Sequence, residues 1–144
     1  MLGQSQCEDV NAYAVNTGKL APEGWRVPTG SDWYILQQSV DENSQAKALA
    51  SQKYWFPSDI ENSVGNDLSK NNSSGFNALP AGRYSGSSPV TGKEVLFWYS
   101  GKYQIYGLND LVGFPSIMYN TSTQMIETRL SGDIGLSVRC IRDD

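Results

Sequence analysis

The chain has 144 residues, a formal net charge of −4, no histidine and two cysteines. Its length is typical of one domain, and its 39% apolar and 11% aromatic residues suffice for a hydrophobic core. Catalysis that needs imidazole is excluded, two cysteines are too few for a Cys₄ zinc site, and the negative charge disfavours a nucleic-acid partner. The longest apolar run, Val95–Tyr99, is far shorter than a membrane span.

The two ends of the chain bear on where the protein is located. Residues 1–6 lack both a basic start and an apolar stretch, so they do not resemble a signal peptide. On this basis the protein either stays inside the cell or is a processed piece of a secreted protein. Cys7 and Cys140 lie near opposite ends. A disulfide between them would stabilise the fold by about 2–4 kcal/mol, and two unpaired, apolar thiols are the alternative.

The first predicted elements are an extended segment and a helix. Pro22–Pro28 is expected to be extended because it has a proline at each end. Thr29 and Asp32 then form a capping-box pattern, which predicts a helix over residues 30–40. The apolar face of this helix consists of Trp33, Leu36 and Val40.

A shorter helix and a long loop are predicted next. Ser44 is the expected N-cap of the helix, which ends near Ser51. The polar, aperiodic residues 57–74 predict a surface loop of a length that is often functional. Its carboxylates are of the type that binds calcium, but their spacing does not match an EF-hand, so no metal site is predicted. The acidic residues are Asp59, Glu61 and Asp67.

The last third of the chain is strand-like. Val95–Tyr99 is short and entirely apolar, as expected of a buried strand. Further strands are predicted at Ile117–Tyr119, Met125–Ile126 and Leu136–Ile141. Two early helices followed by short strands predict a single domain of the α+β class.

Short motifs occur in a fixed order from about Asn11 to Asp143. They are Tyr13–Asn16, Leu20–Thr29, Asp32–Trp33, Gly75–Gly82, Phe97–Trp98 and Ser137–Cys140. Together they resemble the Fibrobacter succinogenes major paralogous domain, which is found in many surface proteins of Bacteroidetes-type bacteria. The resemblance implies a C-type-lectin-like fold, in which two helices and a small antiparallel sheet present long irregular loops. It also implies scaffold roles for Trp25, Trp33, Phe76, Leu79, Trp98 and Val138.

The sequence departs from this family at two places. Many relatives have a cysteine directly before the Pro-x-Gly-Trp segment, where it pairs with the cysteine near the C-terminus, whereas this chain has Ala21. The resemblance therefore implies Cys7 as the substitute partner of Cys140. After Trp98, relatives often have Ser-Ser-Thr, whereas this chain continues with Tyr99–Gly101.

Residues 99–132 are the least family-like part, and aromatic and amide side chains cluster there. This mixture resembles the variable region of lectin-fold proteins that are altered by diversity-generating retroelements. Tyrosine offers a rigid contact surface at small entropic cost, and asparagine adds adaptable hydrogen bonds, as in antibody binding loops. The predicted ligand-binding residues are Tyr99, Tyr103, Gln104, Tyr106, Asn109, Asp110, Phe114, Tyr119 and Asn120.

These observations predict a non-enzymatic ligand-binding module of a bacterial surface protein, of the adhesin or pilus-tip type, at the cell surface or outside the cell. Its partner would be a protein or glycan on another surface, and no nucleic acid, membrane span or cofactor is expected. The alternative is a capping or spacer domain without a ligand. Formylglycine-generating enzymes have a related fold, but their C-terminal pair of reactive cysteines is missing, since Cys140 stands alone there.

Overall fold

A computed structural model describes residues 18–88, 90–100, 116–128, 130 and 133–144. These residues form helices and small antiparallel sheets, which confirms the α+β class. The elements are β1 (Trp25–Arg26), α1 (Gly30–Gln38), α2 (Gln45–Leu49), β2 (Glu94–Phe97), β3 (Ser116–Tyr119), β4 (Ile126–Glu127) and β5 (Ile141–Arg142), with 3₁₀ turns at Glu42–Ser44 and Leu68–Lys70.

A two-stranded sheet joins the beginning of the described chain to its end. β1 and β5 are antiparallel, with Trp25 opposite Arg142. The backbone N–H of Asp143 continues the ladder by donating to the oxygen of Gly24 at 2.9 Å. The extended segment predicted around Trp25 is therefore tied to the C-terminus.

The second sheet contains β2, β3 and β4 in antiparallel order. Leu96 of β2 lies opposite Ile117 of β3, and Ile117 lies opposite Ile126 of β4. Because successive side chains of a strand point to opposite faces, β2 contributes to two hydrophobic clusters. Val95 and Phe97 belong to the first cluster, whereas Leu96 belongs to the second. The buried strand predicted here is confirmed.

The C-terminal strand is shorter than predicted. The sequence predicts one strand over Leu136–Ile141, but β5 includes only Ile141 and Arg142. Ser137 instead forms a single parallel bridge with Phe97. The reason is that the chain meets the edge of β2 only at this point, where the N–H of Trp98 donates to the oxygen of Ser137 at 3.0 Å.

Helix α1 begins, as predicted, with a capping box. The Thr29 hydroxyl accepts from the backbone N–H of Asp32, and the Asp32 carboxylate accepts from the N–H of Thr29 at 2.7 Å. Arg26 adds two hydrogen bonds to the same carboxylate, at 2.5 and 3.0 Å. The bond from Arg26 is the main cause that holds the pKa of Asp32 well below its usual value. The helix ends at Gln38 rather than at residue 40, because the N–H of Ser39 closes its last turn.

The second predicted helix is confirmed as α2, which is short and entirely buried. Ser44 occupies the predicted N-cap position, but its side chain makes no capping hydrogen bond. Asp41 caps the preceding 3₁₀ turn instead, by accepting from the N–H of Asn43 at 2.8 Å. This turn leads directly into α2.

Most of the aromatic scaffold that the resemblance implies is buried. Trp33, Phe76 and Phe97 pack together with ring centroids 5.3–5.9 Å apart in the first cluster. Trp98 is fully buried in the second cluster. Trp25 is half-buried and packs against the second cluster, whereas 45% of Leu79 is exposed. Leu79 lies at the surface and is not a core residue.

The loop predicted over residues 57–74 is confirmed as mostly exposed and irregular, but part of it is anchored in the interior. Ser63, Val64 and Asn71 are buried within it. The N–H of Val64 donates to the oxygen of Ser122 at 3.0 Å. Such long-range bonds satisfy the backbone without regular structure, so an analysis of periodicity cannot detect them.

Candidate functional site

The predicted ligand-binding residues divide into two groups. Tyr99, Tyr119 and Asn120 lie in the described part of the chain, and their surroundings are given below. The others lie outside the described residues, and they stay predictions: Tyr103, Gln104, Tyr106, Asn109, Asp110 and Phe114.

Tyr99 is a scaffold residue and not a contact residue, which corrects its predicted role. Only 8% of it is exposed, and it packs in the first hydrophobic cluster. A Cβ atom added at Gly30 would lie 3.5 Å from its ring, so the tyrosine lies against the first residue of α1. The next residue, Ser100, donates its N–H to the oxygen of Pro28 at 2.7 Å. Tyr99 therefore helps to hold the start of α1 against the sheet.

Asn120 lies half-buried in a turn at the end of β3 and connects three loops. Its N–H donates to the oxygen of Lys93 at 2.9 Å, and its own oxygen accepts from the N–H of Gly65 at 2.7 Å. Its side-chain amide donates to the oxygens of Phe56 and Pro57 at 3.4 and 3.3 Å. Because its side chain bonds to the backbone of Phe56 and Pro57, Asn120 holds the surrounding loops in position. It is also partly exposed at the surface.

Tyr119 is half-buried beside an ion pair on the same sheet. It lies opposite Glu94 of β2. Arg83 donates to the two oxygens of that glutamate at 2.7 and 2.9 Å. The pKa of Arg83 is raised, first by Glu94 and to a smaller extent by Tyr119. The tyrosine also packs against the second hydrophobic cluster, so both the ion pair and the core orient it.

The loops that meet at Asn120 carry exposed aromatic residues that the sequence analysis did not single out. Tyr54 is 73% exposed and Phe56 is 50% exposed, whereas Trp55 between them is buried. We call Tyr54 and Phe56 the aromatic edge. The signal that could have revealed it is the run of three aromatics at residues 54–56, directly before Pro57.

Phe56 is held tightly at this place. Its N–H donates to the oxygen of Gly92 at 2.7 Å. Gly92 has a φ of +93°, and a Cβ atom there would lie 2.5 Å from the Phe56 ring. Only glycine therefore allows both this backbone conformation and the close approach of the ring.

The adjoining loop is held by a buried lysine that the sequence analysis also missed. Lys47 of α2 is buried, and its amine donates to the backbone oxygens of Ser63 and Asp67 at 3.3 and 3.0 Å, and to that of Asn66. A fourth bond goes to the side-chain oxygen of Asn71 at 2.9 Å. Burial lowers the pKa of the Lys47 amine, and the nearby Asp67 opposes this shift. The amine thus cross-links the loop from inside.

The remaining predicted feature, Cys140, is buried without a disulfide partner among the described residues, and burial raises the pKa of its thiol. It borders a cavity of about 90 Å³ between α1 and the C-terminal segment. In the wall of this cavity Arg139 lies 4.2 Å from the centroid of the Phe76 ring. Cys7 lies outside the described residues, so the bridge stays a prediction. Two free thiols on titration of the unfolded, unreduced protein would exclude it.

The described ranges show neither a metal-binding cluster nor a membrane-spanning helix. No group of three or more carboxylate, thiol or imidazole side chains is close enough there to hold a metal ion. The helices found in the same ranges are too short or too polar to cross a bilayer.

The features above define an α+β domain in which a packed aromatic core carries irregular loops. The family model of the Fibrobacter succinogenes major domain matches residues 10–142, and the chain belongs to this family. The match confirms the resemblance drawn from the motifs. No curated protein and no solved structure shows significant similarity to the chain. The C-type-lectin-like fold and diversification by a retroelement stay predictions.

Proposed function

We propose that this domain is a non-enzymatic ligand-binding module of a bacterial surface protein, of the adhesin or pilus-tip type. Its ligand is a protein or a glycan, which it recognises through the Tyr/Asn-rich C-terminal face, outside the cell or at the cell surface. In this proposal the face is diversified, with a changing set of side chains on a constant scaffold.

One observation carries the proposal. The turn after β3 is fixed by Asn120 to the loops at Phe56, Gly65 and Lys93. Surface loops that a rigid scaffold holds in one arrangement are where binding residues concentrate, because little conformational entropy is lost when the ligand binds. The half-exposed Tyr119 lies directly before this fixed turn.

Recognition in this proposal is non-covalent. Aromatic side chains of the C-terminal face supply apolar contact area, and its amide and carboxylate groups supply hydrogen bonds that set specificity. The lysine that is most buried, Lys47, is engaged by four oxygens and holds a loop. That engagement favours a structural use of this amine over a catalytic one.

The second candidate function is a capping or spacer domain of a larger surface protein. It is favoured by Tyr99, which is the first aromatic of the predicted contact set and is buried in the core. If the remaining aromatics of that set also supported the core, the domain would have no ligand face of its own.

A binding screen against glycans and host-surface proteins tests the proposal. The intact domain is compared with a Tyr103→Ala/Tyr106→Ala/Tyr119→Ala variant, and Tyr34→Ala, which removes an exposed tyrosine from α1, is the matched control. We expect the triple variant alone to lose binding while its circular dichroism shows that it is still folded, with some loss of stability because Tyr119 packs against the second cluster. Loss of stability without any ligand for the intact domain would instead support the spacer function.

A further inference from the structure

The aromatic edge is an exposed aromatic feature next to the loops that Asn120 joins. Tyr54 and Phe56 lie two positions apart on one segment, and buried Trp55 anchors that segment by donating its indole N–H to the oxygen of Ala78 at 3.2 Å. The apolar side chains of Ile60, shortly after Phe56, and of Val90, shortly before Gly92, are also exposed. The hydrophobic effect alone would favour covering such rings in a free domain.

The backbone of this segment is strained. Tyr54 has a φ of +72°, a conformation that residues other than glycine adopt only at an energetic cost. Strain of this kind persists where the surrounding structure imposes it, and it concentrates at functional sites. Here a bulky, exposed tyrosine occupies a position where glycine would relieve the strain.

The aromatic edge is also pre-organised. The N–H of Phe56 and its ring are both fixed at Gly92, and its carbonyl oxygen accepts from the Asn120 side chain. A surface that is already fixed in its bound arrangement loses little entropy on binding.

We propose that the aromatic edge is a contact site for a neutral carbohydrate chain, with Tyr54 and Phe56 as stacking platforms. This proposal rests on the proposed function and names its ligand as a glycan. The face of an aromatic ring is electrically negative, and the C–H bonds on one face of a pyranose are weakly positive, so the two surfaces attract and exclude water. Neither ring carries a charge, and Lys53 and Asp59 beside them have opposite signs.

The size of the aromatic edge favours a sugar chain over a globular protein. A stable interface between two proteins buries about 800 Å² on each partner. An aromatic side chain contributes about 150–250 Å² when it is completely buried, and the two rings here are already partly covered. Even with the exposed side chains of Ile60 and Val90 added, this apolar surface is small for a protein partner, whereas each ring matches the face of one sugar unit.

Affinity electrophoresis of the purified domain tests this inference. The gels contain one soluble neutral polysaccharide each: xylan, galactomannan, hydroxyethyl cellulose or glycogen, with polygalacturonate as an acidic comparison. The domain is compared with Tyr54→Gly and Phe56→Ala, and with Tyr34→Ala as a control that removes a 63% exposed tyrosine from α1. Tyr54→Gly is suited to this test because glycine accepts the positive φ without strain.

We expect at least one neutral polysaccharide to retard the domain, and each aromatic-edge variant to raise its Kd about 3- to 10-fold, the range for losing one stacked ring. The control should be retarded like the intact domain. The proposal is overturned if no neutral polysaccharide retards the domain, if only polygalacturonate does, or if the variants bind unchanged. The proposed function is tested separately. If only the Tyr103/Tyr106/Tyr119 triple variant lost binding to a ligand, the proposed function would stand and this inference would fail.

Discussion

The start of α1 and the loop at residues 63–71 each surround a charged side chain with hydrogen bonds, yet only the first could be anticipated. At α1, Arg26 and Thr29 bond to Asp32, which is only a few residues away. In the loop, Lys47 bonds to oxygens that lie 16 to 24 residues further along the chain. Both networks satisfy a charged group with hydrogen bonds, but the bonded residues are close in sequence at α1 and far apart in the loop. Only the close spacing can be recognised from sequence.

The largest effect is expected from removing the loop's internal cation. Lys47→Met keeps the length of the side chain but leaves its oxygen acceptors, from Ser63 to Asn71, buried without their donor. Unsatisfied buried polar groups are costly, and we expect the free energy of unfolding to fall by about 3 kcal/mol. Urea unfolding measures the loss, and hydrogen exchange should locate it in residues 63–71.

Lys70→Met is the matched control for this experiment, because Lys70 is exposed and its amine pairs with the exposed Asp67 carboxylate in the same loop, at 3.4 Å. Exposed ion pairs contribute about 0–1 kcal/mol, so its stability should hardly change. Equal losses in the two lysine variants would contradict the idea that the buried amine, rather than general loop charge, holds this loop.

A smaller effect is expected at α1, where the network is partly exposed. Asp32→Asn keeps the shape of the side chain but removes the charge that Arg26 and the cap share. We expect a loss of about 1–2 kcal/mol, the usual value of a helix cap. Thermal or urea unfolding measures it. Asp59→Asn, which changes an exposed carboxylate, serves as the control. If this variant lost as much stability as Asp32→Asn, the cap at Asp32 would have no special role.

The lowered pKa of Asp32 predicts that the free energy of unfolding depends on pH. Because folding lowers the pKa of Asp32, chiefly through Arg26, its contribution is fully present above the pKa of an unfolded aspartate, about 4. It is lost as the pH falls from there through the lower pKa of the folded state. The stability difference between the intact domain and Asp32→Asn should therefore be largest near pH 7 and shrink below about pH 4. A difference that grew in acid would contradict the ion pair.

Sequence reasoning succeeded where the interactions are local or periodic. The capping pattern of Thr29 predicted α1, and the apolar run from Val95 predicted the buried strand β2. For the loop at residues 57–74 it predicted the exposed part but missed the buried anchor at Val64, because the bond that fixes Val64 goes to Ser122, far along the chain. It also treated Tyr99 as a contact residue, since the type of a side chain does not tell whether it faces the core.

The aromatic edge was missed for the same reason, since a run of aromatics is equally typical of a core strand. Buried Trp55 is such a core residue, and its neighbours are not. What distinguishes them is the positive φ of Tyr54, which appears only in three dimensions.

The smallest effect is expected at the positive φ of Tyr54. The experiment tests whether the surrounding structure holds this residue in a strained backbone conformation. Tyr54→Gly and Tyr54→Ala both remove the exposed ring, but only glycine adopts a φ of +72° without a steric penalty. We expect the glycine variant to be more stable than the alanine variant by about 1 kcal/mol, although alanine normally stabilises a chain relative to glycine. Urea unfolding of the two variants measures the difference. If alanine were the more stable, Tyr54 would not be held at a positive φ, and the aromatic edge would carry no backbone strain.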